Sequence, residues 1–108
     1  MPLATHTLGT ITTSIGKELY VGTFSPSNVY VFKANTSTLG AGDAVLFTVL
    51  DKVLNSQGWM KAYEALYAHT QGEPVKISVP LPAPYGMQVT VLQHSGIARP
   101  IDWHVITL

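Results

Sequence analysis

Cysteine is absent from this chain, so it has no disulfide framework, no thiolate zinc site and no cysteine nucleophile. Charge is scarce as well. Six Lys or Arg and six Asp or Glu make up 11% of the 108 residues and cancel to zero, against about 25% in an average soluble domain. Balanced charge and a single arginine, Arg99, leave no electrostatic footprint for nucleic acid. No apolar run approaches the roughly 18 residues that a membrane-spanning helix needs. The first residues, Met1-Pro2-Leu3-Ala4-Thr5-His6, lack the basic start and apolar stretch of a signal peptide. The expectation is a protein made in a reducing cytoplasm, with neither nucleic acid nor membrane as partner. Asn35-Thr36-Ser37 fits a glycosylation sequon, but without an export signal it reads as chance.

Catalytic and metal-binding constellations are missing too. The histidines His6, His69, His94 and His104 are scattered, without the closely spaced His pair, Glu and later His of a metal-dependent jelly-roll enzyme. Asp102 and His104 share one face of the last segment and supply two ligands at most. There is no G-x-S-x-G around any serine, and the six carboxylates Glu18, Asp43, Asp51, Glu64, Glu73 and Asp102 stand singly. Gly40 and Gly42 are not followed by the Lys-Ser or Lys-Thr of a phosphate loop. We expect no enzyme, no cofactor and no metal.

What the chain does have is hydrophobic content, 46%, arranged in short alternating segments between Gly, Pro, Asn and Ser punctuation. Lys17 to Phe24 reads as a strand with Leu19 and Val21 on one side and Tyr20 and Phe24 on the other. After the turn Ser25-Pro26-Ser27-Asn28, Val29 to Ala34 alternates again, so the two suggest a hairpin. Ala44 to Leu54 is apolar on both sides of its first half, as in a strand covered on both faces. Asn55-Ser56-Gln57-Gly58 is a turn.

Trp59 to His69 is ambiguous. Trp59, Tyr63 and Tyr67 recur every four residues, which aligns them on a helix or on one strand face. Its alanines and leucine favour helix; the short turn before it favours the return arm of a hairpin. Pro74 to Pro80 alternates with Val75, Ile77 and Val79 assigned inward and Lys76 and Ser78 outward. The prolines at 80, 82 and 84 suit a sheet edge or an extended link. Met87 to His94 and Ile101 to Leu108 alternate once more, the last with Ile101, Trp103 and Val105 on one face.

The fold expected is all-β: an antiparallel β-sandwich or jelly roll of seven to eight strands, with a short helix around 59–69 left open. Residues 17–108 form the sandwich. Residues 1–16 are either a first strand bulged at Gly9 or an N-terminal arm pairing with a neighbour's sheet edge.

Twelve charges on a domain expected to expose roughly 5,800 Å² do little to keep copies apart. We therefore expect an assembly subunit. Its candidate interface residues are Leu3, Leu8, Ile11 and Ile15 of the N-terminal segment, with the aromatics Trp59, Tyr63 and Tyr67. Those rings suit core packing or a neighbouring subunit. An exposed sugar-stacking platform is the other use for them.

Several stretches resemble small virion proteins of tailed bacteriophages. They are Gly9-Thr10-Ile11-Thr12-Thr13-Ser14-Ile15-Gly16, Ala41-Gly42-Asp43-Ala44-Val45 and Asp51-Lys52-Val53-Leu54. Lys76-Ile77-Ser78-Val79-Pro80-Leu81-Pro82, Gln93 to Gly96 and Trp103-His104-Val105 extend the resemblance over nearly the whole chain. It implies a capsid decoration, or cement, protein: a β-sandwich, often a homotrimer, seated on the outer capsid surface of the virion. There it would bind several copies of the major capsid protein and stabilise the shell. The resemblance supplies no catalytic residues and leaves head, tail or fibre open. The alternative is a receptor- or glycan-binding module of a phage tail or fibre.

Overall fold

A computed structural model describes residues 4–25 and 28–107, with side chains from residue 7 onward. Leu3 lies outside the described residues. Nine strands run in chain order: β1 Ala4–Thr12, β2 Glu18–Phe24, β3 Asn28–Asn35, β4 Ala44–Asp51, β5 Met60–Ala68, β6 Val75–Ile77, β7 Leu81–Ala83, β8 Met87–Ser95 and β9 Pro100–Thr107. Among the described residues there is no helix. Trp59 to His69 resolves as strand because β5 pairs with β4 from Ala44↔Ala68 to Asp51↔Met60, closing the hairpin at residues 52–59.

The strands form two antiparallel sheets. Sheet one has the order β1-β9-β3-β6, with β7 also on β3; sheet two has the order β2-β8-β4-β5. β6 and β7 both pair with β3, β6 near residues 33–35 and β7 near residues 28–30, so together they fill one strand position interrupted at Pro80. Taken as one, they give the strand order of an eight-stranded jelly roll. The total exposed area is 5715 Å².

Alternation then fills the space between the sheets. Tyr30, Phe32 and Ala34 of β3 and Ile101 and Val105 of β9 face Val45, Phe47 and Val49 of β4 and Met87, Val89 and Val91 of β8. Trp103 packs edge-on against Phe24 with ring centroids 6.3 Å apart. Gly9, opposite Trp103 on β1, leaves room for the indole: a Cβ there would sit 3.1 Å from Trp103 Cζ2.

Four local expectations are corrected. β2 and β3 are not a hairpin, since they belong to opposite sheets and the 25–28 turn carries the chain across the sandwich. Phe24 is buried and does not share a face with the exposed Tyr20, because a register shift between Tyr20 and Gly22 reverses the parity of β2. β4 stops at Asp51, leaving Val53 and Leu54 exposed in the turn region. In β1 the irregularity falls between Thr5 and Thr7, not at Gly9. Ala4–Thr12 is a strand of the sandwich, paired with β9 of the same chain.

The larger correction concerns β6. Val75, Ile77 and Val79 are 57%, 56% and 51% exposed, whereas Ser78 is buried. The inward and outward assignments of this segment are reversed. The backbone N–H of Phe32 donates to Ser78 Oγ at 2.9 Å, and Ser78 N–H donates to Phe32 O at 2.8 Å. A buried hydroxyl satisfied in this way holds the edge where strand pairing is interrupted.

Candidate interaction surface

Among the described residues, the space between the sheets is narrow at the β5/β6 side. A cleft between the sheets at the β5/β6 side, lined by Phe47, Tyr63, Tyr67 and Lys76 among others, has a volume of about 10 Å³, at the lower limit for one water. The outer faces of the sheets are therefore the candidate functional surfaces.

On sheet two, alternate residues turn to the outer face within each regularly paired stretch. One cross-strand row reads Glu18, Leu92, Leu46, Leu66, from β2 through β8 and β4 to β5. The next reads Tyr20, Thr90, Thr48, Glu64. The polar members bind one another: Thr90 Oγ1 donates to Glu18 Oε2 at 3.0 Å, and Lys61 pairs with Glu64 at 3.0 Å. Tyr20 and Thr23 share a short hydroxyl contact. The leucines are left without a covering layer, and Leu66 is 58% exposed. The two-sided apolar character of β4 was legible in sequence, but no element of the described chain lies over its outer side.

On sheet one the corresponding rows are Leu8, His104, Lys33, Ile77 and Thr10, Asp102, Asn35, Val75. Their middle forms a depression of about 210 Å³ lined by Lys33, Asn35, Val75, Asp102 and His104. Thr10 Oγ1 donates to Asp102 Oδ1 at 2.6 Å. Asp102 and His104 do share a face. Among the described residues, no three His, Cys, Asp or Glu side chains gather around a common point.

The sequence-derived interface residues are dispersed. Leu8 lies exposed on the outer face of sheet one; Ile11 pairs with Ile101 and packs on the core; Ile15 is exposed beside Gln93, with which it bridges. Tyr63 and Tyr67 are partly buried and pack on the core from the inner face of β5. Tyr67 sits 6.1 Å from Phe47, centroid to centroid, with Lys76 Nζ 5.0 Å from its own ring centre. Burial first, then neighbouring Tyr63, pushes the Tyr67 phenol above its ordinary range. Trp59 lies just before β5, half-buried, and Lys52 Nζ occupies one face of its ring at 4.7 Å. The three rings do not form one open platform.

Sequence reasoning missed Leu66 and Leu92, which stand at positions of polar parity, and the exposed side of β6. The signal for the leucines was the apolar outer side of β4 that they extend. For β6 there was none, since alternation identifies two faces without saying which is inside.

No family model matches this chain, and neither a curated protein nor a solved structure matches it.

Proposed function

We propose that this protein is a non-enzymatic structural component of a bacteriophage virion, which decorates the outer capsid surface and stabilises the shell by binding the major capsid protein. One observation carries the reading. Both outer sheet faces of a weakly charged jelly roll bear apolar side chains: exposed Leu66 with half-buried Leu46 and Leu92 beside it on one, and exposed Leu8, Val75 and Ile77 on the other. Such surfaces mark contact with other protein. Each contact is modest, and repetition over a lattice multiplies it. The protein acts as a rigid clamp whose free energy comes from covering these rows.

Co-sedimentation with undecorated shells of the bacteriophage encoding this chain tests the proposal. Wild-type protein is expected to pellet with the shells and raise their melting temperature. The double variant Leu8→Asp with Ile77→Asp is expected to bind at least ~10-fold more weakly, about 1.4 kcal/mol. Absence of wild-type binding sinks the reading. Deleting residues 1–14 is not a clean test, because it removes β1 from the sheet.

The 210 Å³ depression with Lys33, Asn35, Asp102 and His104 supports a second reading, a glycan-binding module. Glycan-array binding abolished by Asp102→Ala, without shell binding, would select it.

A further inference from the structure

We propose that β5 is a pairing edge through which two copies of this chain join about a two-fold axis, with Leu66 of one protomer opposite Leu66 of the other. An open strand edge is a template for another strand, and folds usually blunt it. The other described edges are blunted here. β6 and β7 are three residues each with Pro80 between them and Pro82 inside β7. β1 and β2 each carry an internal glycine, Gly9 and Gly22, which weakens a strand, besides a register irregularity between Thr5 and Thr7 and between Tyr20 and Gly22. By contrast β5 is nine residues long with neither Pro nor Gly. Its one irregularity, opposite Val49/Leu50, lies near its start, and pairing with β4 is unbroken from Tyr63 to Ala68.

The edge is self-complementary about Leu66. With the axis at Leu66, Ala65 faces Tyr67 of the other copy and Glu64 faces Ala68, so small residues meet large ones and no like charges are opposed. An axis at Glu64 would set two carboxylates opposite each other, which is destabilising. The Leu66 register also joins the outer rows of the two sheets. The sequence Glu18, Leu92, Leu46, Leu66 continues into its own mirror order in the second copy, leaving the carboxylates only at the far ends. This is the isologous contact that a two-fold axis requires.

Size sets the expected strength. The paired stretch, Glu64 to Ala68 with its flanks, spans roughly 20 Å at ~3.3 Å per residue. Across a sandwich 18 Å in its thinnest extent this covers roughly 400 Å² per protomer, below the ~600 Å² or more of a stable interface. The dimer is therefore weak and suited to reinforcement on a lattice. It replaces the three-fold assembly implied by the resemblance with a two-fold one. Because it forms without a shell, its failure and that of capsid binding are separable.

The test uses light scattering across concentration together with single-cysteine trapping, which the cysteine-free chain makes clean. Weight-average mass should rise from 11.6 kDa toward twice that value. Under mild oxidation Leu66→Cys should cross-link, since directly opposed Cβ atoms lie ~5 Å apart, near disulfide reach. Glu64→Cys, offset from its mate by ~13 Å, and Thr10→Cys on β1 should not. Leu66→Lys should weaken association at least ~10-fold with an unchanged melting temperature, because the position is exposed. A mass constant at that of one chain overturns the proposal. So does a trimer in which Leu66→Cys cross-links no faster than Thr10→Cys.

Discussion

Arg99 Nε donates to Asp43 Oδ2 at 2.7 Å, joining a carboxylate that is 1% exposed to a guanidinium that is 29% exposed. Gly40 N–H donates to the same carboxylate oxygen at 2.8 Å, and Ile97 N–H to Oδ1 at 2.9 Å. Asp43 therefore ties the 40–43 loop to the 96–99 loop at one end of the sandwich. Nearby, the buried Gln93 accepts from Thr13 and donates to Ser95 O at 2.9 Å and Ile97 O at 2.7 Å.

The two partners are not equivalent. Asp43→Ala leaves two backbone N–H groups and a partly exposed guanidinium without their acceptor, at about 1–3 kcal/mol for each lost bond. Arg99→Ala keeps both backbone bonds to Asp43 and should cost about 1–2 kcal/mol. Urea denaturation of the two variants checks the order, and equal losses would contradict it.

Acid stability follows from the same carboxylate. Hydrogen bonds from Gly40 and Ile97, then the Arg99 side chain, hold Asp43 below its ordinary value of 3.8, although burial works in the opposite direction. A depressed folded value means that the stabilisation is complete above the unfolded value. It is lost as pH falls through the folded one. The urea midpoint should thus drop from about pH 4 downward. Asp43→Asn, less stable at neutral pH, should show a shallower fall over the same window.

Glycines 42 and 96 separate two causes of strain. Both have positive φ, +86° and +96°. A Cβ on Gly42 meets nothing within 4 Å, while one on Gly96 falls 1.9 Å from Asp43 Oδ1. Gly42→Ala should cost ~1 kcal/mol from backbone conformation alone. Gly96→Ala should cost ~3 kcal/mol or more by displacing the Asp43 carboxylate. Comparable melting temperatures for the two would refute the steric account.

The reversed faces of β6 give a direct comparison. Ser78→Ala leaves the Phe32 N–H without its acceptor and should cost ~1–3 kcal/mol. Ile77→Thr, on the exposed side, should change stability by no more than ~0.5 kcal/mol. The opposite order in thermal melts would restore the inward placement of Ile77.

Strand positions were largely legible because alternation and turn residues are local. The sets Val45-Phe47-Val49, Met87-Val89-Val91 and Ile101-Trp103-Val105 each point as their spacing indicates. Partnership was not legible. The adjacency of β2 and β3 suggested a hairpin, yet the jelly roll sends them to opposite sheets. A single register irregularity after Tyr20 moved Phe24 into the core. The surface rows were harder still, since Leu92, Leu46 and Leu66 are brought side by side from three separate strands.

What this chain's residues determined alone is a sparsely charged, strand-rich domain with one core, because composition and period-two patterning act within a few residues of chain. Tertiary structure decided which side of β6 meets solvent, which edge remains open and which leucines form one row. Those outcomes depend on long-range pairing and on where each backbone hydrogen bond finds its partner, and neither is encoded within a single segment.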